Sequence, residues 1–218
     1  MSDPYTIYFA GDLFDHKHLI GNAILADFIE RLSDGRYDCK VPQDFEFVNT
    51  RGVDIRNIDL KEVMACDLGL FNFDGPDLDS GTVVEFMFAK MLDIPSVILR
   101  TDLRISGDGD REDWNLMATH YPRTNNVKIR SLGWYREVQE KTDSLAELTD
   151  QLYTQLANEV IEALDDVRQQ TPLPKPTPIT TDVIYQWAIQ FPASGFAEEC
   201  GDGFVKQVLA RKRAKGLL

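Results

Sequence analysis

The chain has 218 residues, of which 43% are hydrophobic, and a formal net charge of −13 at pH 7. This length favours one α/β domain with an appendage over two full domains, and the hydrophobic content is sufficient for a core. The acidic balance argues against nucleic acid or an anionic membrane as a partner, and against a heavily phosphorylated substrate. A neutral polar ligand fits the composition better.

The cysteines and the hydropathy indicate a cytoplasmic protein. Cys39, Cys66 and Cys200 are far apart and form no Cys-x-x-Cys pair, which predicts reduced thiols. The N-terminus shows no signal peptide. No apolar run approaches the roughly 20 residues that a membrane-spanning helix needs. We therefore expect no membrane partner.

Strands and helices alternate along the first half of the chain. Apolar and aromatic runs predict strands over residues 5–10, 37–41, 68–73 and 94–99. Apolar residues at helical spacing predict helices over residues 16–32 and 55–65 and another after residue 82, with a loop over 44–54. This order is typical of a parallel sheet with helices on both faces.

The second half predicts a long loop, one more strand and a helical extension. Residues 101–121 are polar, and a loop of this length is usually functional. A fifth strand is expected over 126–132 and a long helix over 143–169, so that the α/β domain covers residues 1–170. The Pro-rich segment 171–180 predicts an extended linker. Two helices, 181–189 and 204–215, form the C-terminal extension 181–218, whose basic run 211–213 is expected to be a solvated helix end.

The stretch from Cys66 to Leu92 contains the strongest functional pattern. Its strand ends in a loop that holds several aspartates, and the carboxyl ends of parallel strands are the usual ligand crevice of an open α/β sheet. The helix that follows is apolar on every side and contains Glu85, which we place in its first turn. A carboxylate among apolar side chains is costly unless it is paired, and such groups are common at reactive sites.

Structural explanations exist for several of these polar residues. Thr82 and Glu85 fit a capping box, in which the glutamate bonds back to the start of its own helix. Asp74 and Asp77 have the positions of turn formers. His16 and His18 do not converge on one helix face, which predicts surface histidines and no metal site.

These features together resemble the nucleoside 2-deoxyribosyltransferases over about residues 5–135. The resemblance rests on the opening Ile7–Gly11 followed by Leu13-Phe14, on two acidic residues at fixed distances from Glu85, and on Asn115-Leu116-Met117. The acidic residues are Asp59 and Asp79, which precede Glu85 by twenty-six and six positions. The resemblance implies a five-stranded, doubly wound, flavodoxin-like parallel sheet, no cofactor, and a homo-oligomer built from dimers, such as a hexamer.

The resemblance also implies the catalytic roles. Glu85 would attack C1′ of a 2′-deoxynucleoside and form a covalent sugar ester. The Tyr8 hydroxyl would hold that carboxylate in place. Asp79 would bind sugar hydroxyls, and Asp59 would contact the base and manage its proton.

Further residues are implied in substrate binding. Phe14 would pack against the base, and Gly11 belongs to the same opening segment. Asn115 and Met117 would reach the site of a neighbouring subunit, where Asn115 binds the sugar. From its place at the end of the second strand, Gln43 is expected to reach the base edge.

A pair of carboxylates suits the cleavage of an N-glycosidic bond, whatever family the chain resembles. Breaking an N-glycosidic bond passes through an oxocarbenium-like state, which a carboxylate stabilises and traps, while a second carboxylate supplies a proton to the leaving base. We therefore expect transfer of 2-deoxyribose to a free nucleobase with net retention. Two alternatives stay open, a nucleoside hydrolase that uses water as acceptor and a nucleoside-binding protein without turnover. Shorter family members end near their site, whereas this chain continues past the Pro-rich linker.

Overall fold

A single parallel sheet organises the protein. The structure is a computed structural model that describes residues 3–45, 52–102 and 114–218. The strands are Tyr5–Ala10 (β1), Tyr37–Lys40 (β2), Leu68–Asn72 (β3), Ser96–Arg100 (β4) and Thr124–Lys128 (β5). They pair in the order β2-β1-β3-β4-β5, and every pairing is parallel. This is the flavodoxin-like order, and it confirms the predicted fold.

Helices connect and cover the strands. They are His16–Leu32 (α1), Gly52–Ala65 (α2), Ser80–Met91 (α3), Ser131–Gln139 (α4), Leu145–Val167 (α5), Thr181–Ala188 (α6), Phe196–Cys200 (α7) and Phe204–Ala214 (α8). The sequence analysis missed α4 and α7, which are short. It was also wrong to extend the 44–54 loop beyond residue 51, because α2 begins at Gly52. Residues 46–51 and 103–113 of the two predicted loops lie outside the described residues.

The two faces of the sheet bury two separate apolar layers, because successive strand side chains point in opposite directions. Ile7 and Phe9 of β1 pack with α1 and α5 on one face. Tyr8 and Ala10 pack on the other face, in the layer that contains α2 and α3. Burial on both faces explains why the strands are nearly continuous apolar runs rather than alternating ones.

The C-terminal extension completes the second layer. Seven of its side chains, two each from α6 and α7 and three from α8, are buried in the cluster that also contains Phe86 of α3, namely Tyr185, Ala188, Phe196, Cys200, Val205, Val208 and Leu209. The linker before it also contacts the sheet domain, since the Leu173 backbone N–H donates to Asp93 Oδ2 at 2.9 Å. The extension is therefore packed against the α/β domain.

The basic run at the end of the chain is only partly solvated, since Arg213 is 49% exposed but Lys212 and Arg211 contradict the prediction. Lys212 is only 1% exposed, and its ammonium donates to the Cys66 carbonyl oxygen. Arg211 Nε lies 3.2 Å from Asp67 Oδ1. The acceptors come from the segment before β3, so nothing in the run itself distinguishes it from an exposed helix end.

Two further expectations concern the state of the cysteines and the length of the apolar helices. Cys39, Cys66 and Cys200 are buried and form no disulfide. In the part of the chain that the structure describes, no helix is both long and apolar enough to cross a membrane.

Candidate active site

The carboxyl ends of β1 and β3 form the switch point of the sheet. In this strand order the chain leaves these two neighbouring strands toward opposite faces, which opens a crevice at their ends. Gly11 follows β1 there, and a Cβ at this position would lie 3.1 Å from Asn72 Cβ. Gly11 therefore permits the close approach of the two strand ends.

Asp79 begins helix α3. It is the N-cap residue, and its Oδ2 accepts hydrogen bonds from the Thr82 backbone N–H at 2.7 Å and the Thr82 hydroxyl at 2.9 Å. Such caps stabilise a helix by about 1 kcal/mol. The alternative capping box of Thr82 and Glu85 is therefore wrong, because the helix begins three residues earlier than that box requires.

Glu85 lies one turn further into α3 than predicted. Because the helix begins at Ser80, Glu85 is in the second turn. The helix is also not buried on every side, since Val84 is 56% and Met87 41% exposed. Glu85 thus stands at the boundary between the buried and exposed sides of α3.

Tyr8 and Glu85 form a direct hydrogen bond. The Tyr8 hydroxyl donates to Glu85 Oε1 at 2.8 Å, although the two residues are far apart in sequence. Tyr8 is 1% exposed. Burial raises the pKa of its hydroxyl well above the ordinary value, and the charges of Glu85 and Asp59 add to that effect. The phenol therefore stays protonated and remains a donor to the carboxylate.

A cavity of about 390 Å³ lies beside this pair, between the N-terminal halves of α2 and α3. Asp59 and Glu85 both line it, from opposite helices. The remaining lining residues are Gly52, Ile55, Arg56 and Leu60 of α2 and Ser80, Gly81 and Val84 of α3. Two carboxylates facing one cavity, one of them oriented by a buried phenol, form an arrangement suited to general acid–base and nucleophilic chemistry.

The predicted substrate-binding residues do not line this cavity within one chain. Phe14 is 78% and Met117 79% exposed. Gln43 Nε2 donates to the Leu19 carbonyl oxygen at 2.9 Å. Asn115 Oδ1 accepts from the backbone N–H groups of Met117 at 2.9 Å and Ala118 at 3.1 Å, which shapes its own turn.

Sequence reasoning missed two polar residues. Arg56 lines the cavity and lies three positions before Asp59, a spacing that puts both on one side of α2 and could have identified it. Asp12 follows Gly11, and its carboxyl pKa is raised by partial burial and by the nearby charge of Asp79. Asp12 had no signal beyond its position after β1.

Other polar residues have structural contacts. The Asp74 carboxylate accepts from the Thr101 and Asp102 backbone N–H groups at 2.5 and 2.7 Å, which ties the loop after β3 to the end of β4. His18 Nδ1 lies 3.4 Å from Asp15 Oδ1. Among the described residues, no group of three or more acidic, histidine or cysteine side chains is arranged to hold a metal ion.

The fold defines a doubly wound α/β protein, and Asp59 and Glu85 line a cavity that is its candidate active site. More specifically, the chain belongs to the nucleoside 2-deoxyribosyltransferase family, whose sequence model matches residues 7–145, well over half of its length. This confirms the resemblance. It also indicates an enzyme that modifies nucleosides. The extension 181–218 lies outside the matched region.

Solved structures to which the chain is similar include proteins from several organisms. A conserved protein from Enterococcus faecalis V583 is 24% identical, with 75% of this chain and 98% of that chain covered and a TM-score of 0.48. A 2-deoxyribosyltransferase from the psychrotolerant bacterium Bacillus psychrosaccharolyticus is 17% identical, with 66% and 95% covered and a TM-score of 0.44. A 2-desoxiribosyltransferase from Leishmania mexicana is 23% identical, with 62% and 98% covered and a TM-score of 0.43. No curated protein sequence matches the chain significantly.

Proposed function

We propose that this protein transfers 2-deoxyribose between nucleobases through a covalent ester on Glu85. The observation that carries the proposal is the 2.8 Å hydrogen bond from the buried Tyr8 hydroxyl to Glu85 Oε1. It fixes the orientation of a carboxylate that lines a cavity together with Asp59. Membership of the family supports the same chemistry. We expect the reaction to serve cytoplasmic nucleoside salvage.

In the first displacement, a Glu85 carboxylate oxygen attacks C1′ of a bound 2′-deoxynucleoside. The C1′–N bond breaks, and its electron pair leaves with the nucleobase. Asp59, in its protonated form, supplies the proton that the departing base takes up. The product is a glycosyl ester on Glu85. The transition state of this displacement resembles an oxocarbenium ion, and the negative charge of the Glu85 carboxylate stabilises it.

In the second displacement, a free nucleobase attacks C1′ from the side that the first base has left. The ester bond breaks, the carboxylate of Glu85 is regenerated, and the proton of the incoming base nitrogen passes to Asp59. Two displacements give net retention of configuration. Water must be excluded for transfer to exceed hydrolysis, and a neighbouring subunit that covers the cavity would exclude it.

We propose that a second copy of the chain completes the site. Asn115 and Met117 are predicted to contact substrate but do not line the cavity of their own chain. Met117 and Leu116 are both more than half exposed. A homo-oligomer built from dimers would bring Asn115 and Met117 to a neighbouring cavity, whereas Phe14 and Gln43 would act within their own chain.

Asp79 is proposed to bind the sugar hydroxyls in addition to capping α3. Its Oδ2 is engaged by Thr82, and its charge raises the pKa of Asp12. The acidic pair would repel a 5′-phosphate, so that a free nucleoside is the favoured substrate. Asp12 would then share the hydroxyl contacts.

A nucleotide or nucleoside hydrolase is the second candidate, because Arg56 and the start of α3 line the same cavity as Glu85. An arginine and backbone N–H groups at a helix N-terminus are suited to a phosphate. In this reaction water would take the place of the second nucleobase.

One assay separates the two candidates. The protein is incubated with a 2′-deoxynucleoside and a different free nucleobase, or with a 2′-deoxynucleoside 5′-monophosphate. The products are separated by chromatography. A new deoxynucleoside supports transfer, and free base plus free sugar supports hydrolysis. Glu85→Ala should abolish either reaction, while Glu198→Ala, an exposed glutamate of α7, serves as the matched control. Appreciable turnover by Glu85→Ala would show that the nucleophile is another residue.

A further inference from the structure

The loop between α6 and α7 accepts hydrogen bonds from α2, the helix that carries Asp59. Asn57 Nδ2 donates to the Ser194 carbonyl oxygen at 3.0 Å, and Arg56 Nη2 lies 3.5 Å from the Ala193 carbonyl oxygen. Asn57 is 4% exposed, so its hydrogen bond is protected from water. Two adjacent residues of α2 therefore fix the position of a loop that lies outside the family match.

The backbone of this loop has an unfavourable conformation. Ala193, Ser194 and Gly195 have φ angles of 52°, 50° and 84°, so three consecutive residues are left-handed and only one is glycine. Non-glycine residues adopt this region only when their surroundings hold them there, and such segments concentrate at functional sites. The turn holds Phe191 and Pro192 next to α3.

Phe191 and Pro192 help to enclose a second cavity of about 460 Å³. Its other lining residues come from α2 and α3 and are almost all apolar, namely Arg56, Leu60, Val83, Val84, Met87, Phe88 and Met91. Its size falls within the range of about 300–1,000 Å³ that is usual for small-molecule sites. Apolar lining indicates a ligand group without charge or hydrogen-bonding atoms.

The second cavity adjoins the candidate active site. Arg56, Leu60 and Val84 line both cavities. On the proposed function, on which this inference rests, C1′ of the sugar lies at Glu85 and the base contacts Asp59. A substituent on the base would then extend past the three shared residues into the apolar cavity.

We propose that this cavity is a subsite for an apolar substituent carried by the nucleobase, and that Phe191 determines specificity for it. The C-terminal extension thus supplies a wall that the α/β domain alone does not have. A nucleobase substituent is the favoured occupant because the cavity adjoins the catalytic one and shares three lining residues with it. A second copy of the chain on the same surface is the competing occupant.

Direct binding tests the subsite without requiring turnover. Calorimetry would compare adenine with N6-benzyladenine, and uracil with 5-benzyluracil, on the full-length protein. We expect the benzylated member of at least one pair to bind roughly tenfold more tightly, as apolar groups in a fitting pocket typically do. Phe191→Ala should remove most of that preference. Val183→Ala, at a residue of α6 that is also more than half exposed and lines neither cavity, should retain it.

The outcomes are distinct. Equal binding of both members in both pairs, or a preference that survives Phe191→Ala, would overturn the subsite. If Phe191→Ala instead changes the oligomeric state in light scattering and no preference is seen, a second copy covers this surface and the proposal is wrong. Thermal unfolding of the variant checks that it folds, which is expected because Phe191 is 62% exposed. The separate exchange assay tests the proposed function, so that absence of exchange with a persistent benzyl preference would refute only the transferase.

Discussion

Asp67 and Lys215 form an ion pair that joins the start of β3 to the end of the chain. Lys215 Nζ lies 2.6 Å from Asp67 Oδ2, and the Asp67 side chain has 0% exposure. The same carboxylate accepts from the Thr6 backbone N–H at 3.0 Å and from Arg211 at 3.2 Å. One buried aspartate therefore connects β1, β3 and the C-terminal extension.

Replacing Asp67 with Asn should destabilise the protein substantially. Removing one partner of a buried pair leaves uncompensated charges and typically costs about 3–5 kcal/mol. Lys215 and Arg211 are partly exposed, which favours the lower end, about 3 kcal/mol. The free energy of unfolding in urea measures the change. Asp182→Asn, which breaks the exposed pair with Arg213, should have little effect.

The same carboxylate should make stability depend on acid pH. Burial alone would raise the pKa of Asp67, but the hydrogen bond from Lys215 and the charges of Lys212 and Arg211 lower it, and the net shift is downward. A lowered folded-state pKa gives stability that is fully present above the unfolded value of about 4 and is lost as the pH falls through the folded value. Unfolding free energies between pH 6 and pH 2 should therefore decline less steeply in Asp67→Asn than in the wild type.

Lys90 should make stability rise with pH near neutrality, at a higher pH than Asp67 does. Burial lowers its pKa to about 7, and the Arg123 charge adds to the shift, against the opposing charge of Asp93. Between about pH 7 and 10.5 the unfolded chain binds more protons at this residue than the folded chain, so its contribution to stability increases with pH by up to about 1.4 kcal/mol per pH unit. The unfolding free energy should rise from pH 7 to pH 8.

Lys90→Met isolates this contribution. The variant should show a smaller rise in unfolding free energy between pH 7 and pH 8, and Lys141→Met, at an exposed position, should keep the wild-type slope. Burial raises the pKa of the Cys66 and Cys200 thiols, to about 12 and about 11. These thiols therefore destabilise the folded protein as the pH rises above the ordinary thiol pKa, and the measurement stops at pH 8 for this reason. An unchanged slope in Lys90→Met would contradict the prediction.

Tyr8→Phe should reduce turnover without unfolding the protein. The variant removes the hydroxyl that orients Glu85 and keeps the buried ring, so the cost in stability should be about 1–2 kcal/mol. A misaligned nucleophile typically costs up to about 100-fold in rate, so we expect kcat to fall roughly 10- to 100-fold. The exchange assay measures it. Tyr5→Phe, on the same strand but away from the cavity, should keep wild-type activity. Full activity in Tyr8→Phe would mean that Glu85 is oriented by other contacts.

Asp59→Asn tests the proton donor. A general acid typically contributes about 100- to 10,000-fold, so kcat should fall within that range while Glu85 remains able to attack. The loss should be smallest for substrates whose base leaves readily without a proton. Rates with a series of bases of different leaving-group pKa values measure this. Asp27→Asn, exposed on α1 at the opposite face of the sheet, is the control. A uniform loss across the series would assign Asp59 to base binding alone.

The sequence could predict the sheet and the Tyr8–Glu85 pair for different reasons. The strands could be predicted because burial on both faces makes them continuous apolar runs, as in Leu68–Asn72. The pairing of Tyr8 with Glu85 could be predicted only from the resemblance to the family, since no local pattern pairs two residues so far apart. The burial of Lys212 could not be predicted, because its acceptor is the distant carbonyl oxygen of Cys66. Long-range contacts of this kind leave no periodic signal.

Mixing two inactive variants tests whether neighbouring subunits share a site. Asn115→Ala removes both the proposed sugar contact and the cap that holds Met117 and Ala118, so activity should fall strongly. Glu85→Ala removes the nucleophile. If Asn115 acts in the neighbour's site, a mixed dimer contains one site with both residues intact and one with neither. Refolding an equal mixture should then restore up to about one quarter of wild-type activity, because half of the dimers are mixed and half of their sites are complete. Each variant refolded alone is the control, and a mixture no more active than either would place Asn115 in the site of its own chain.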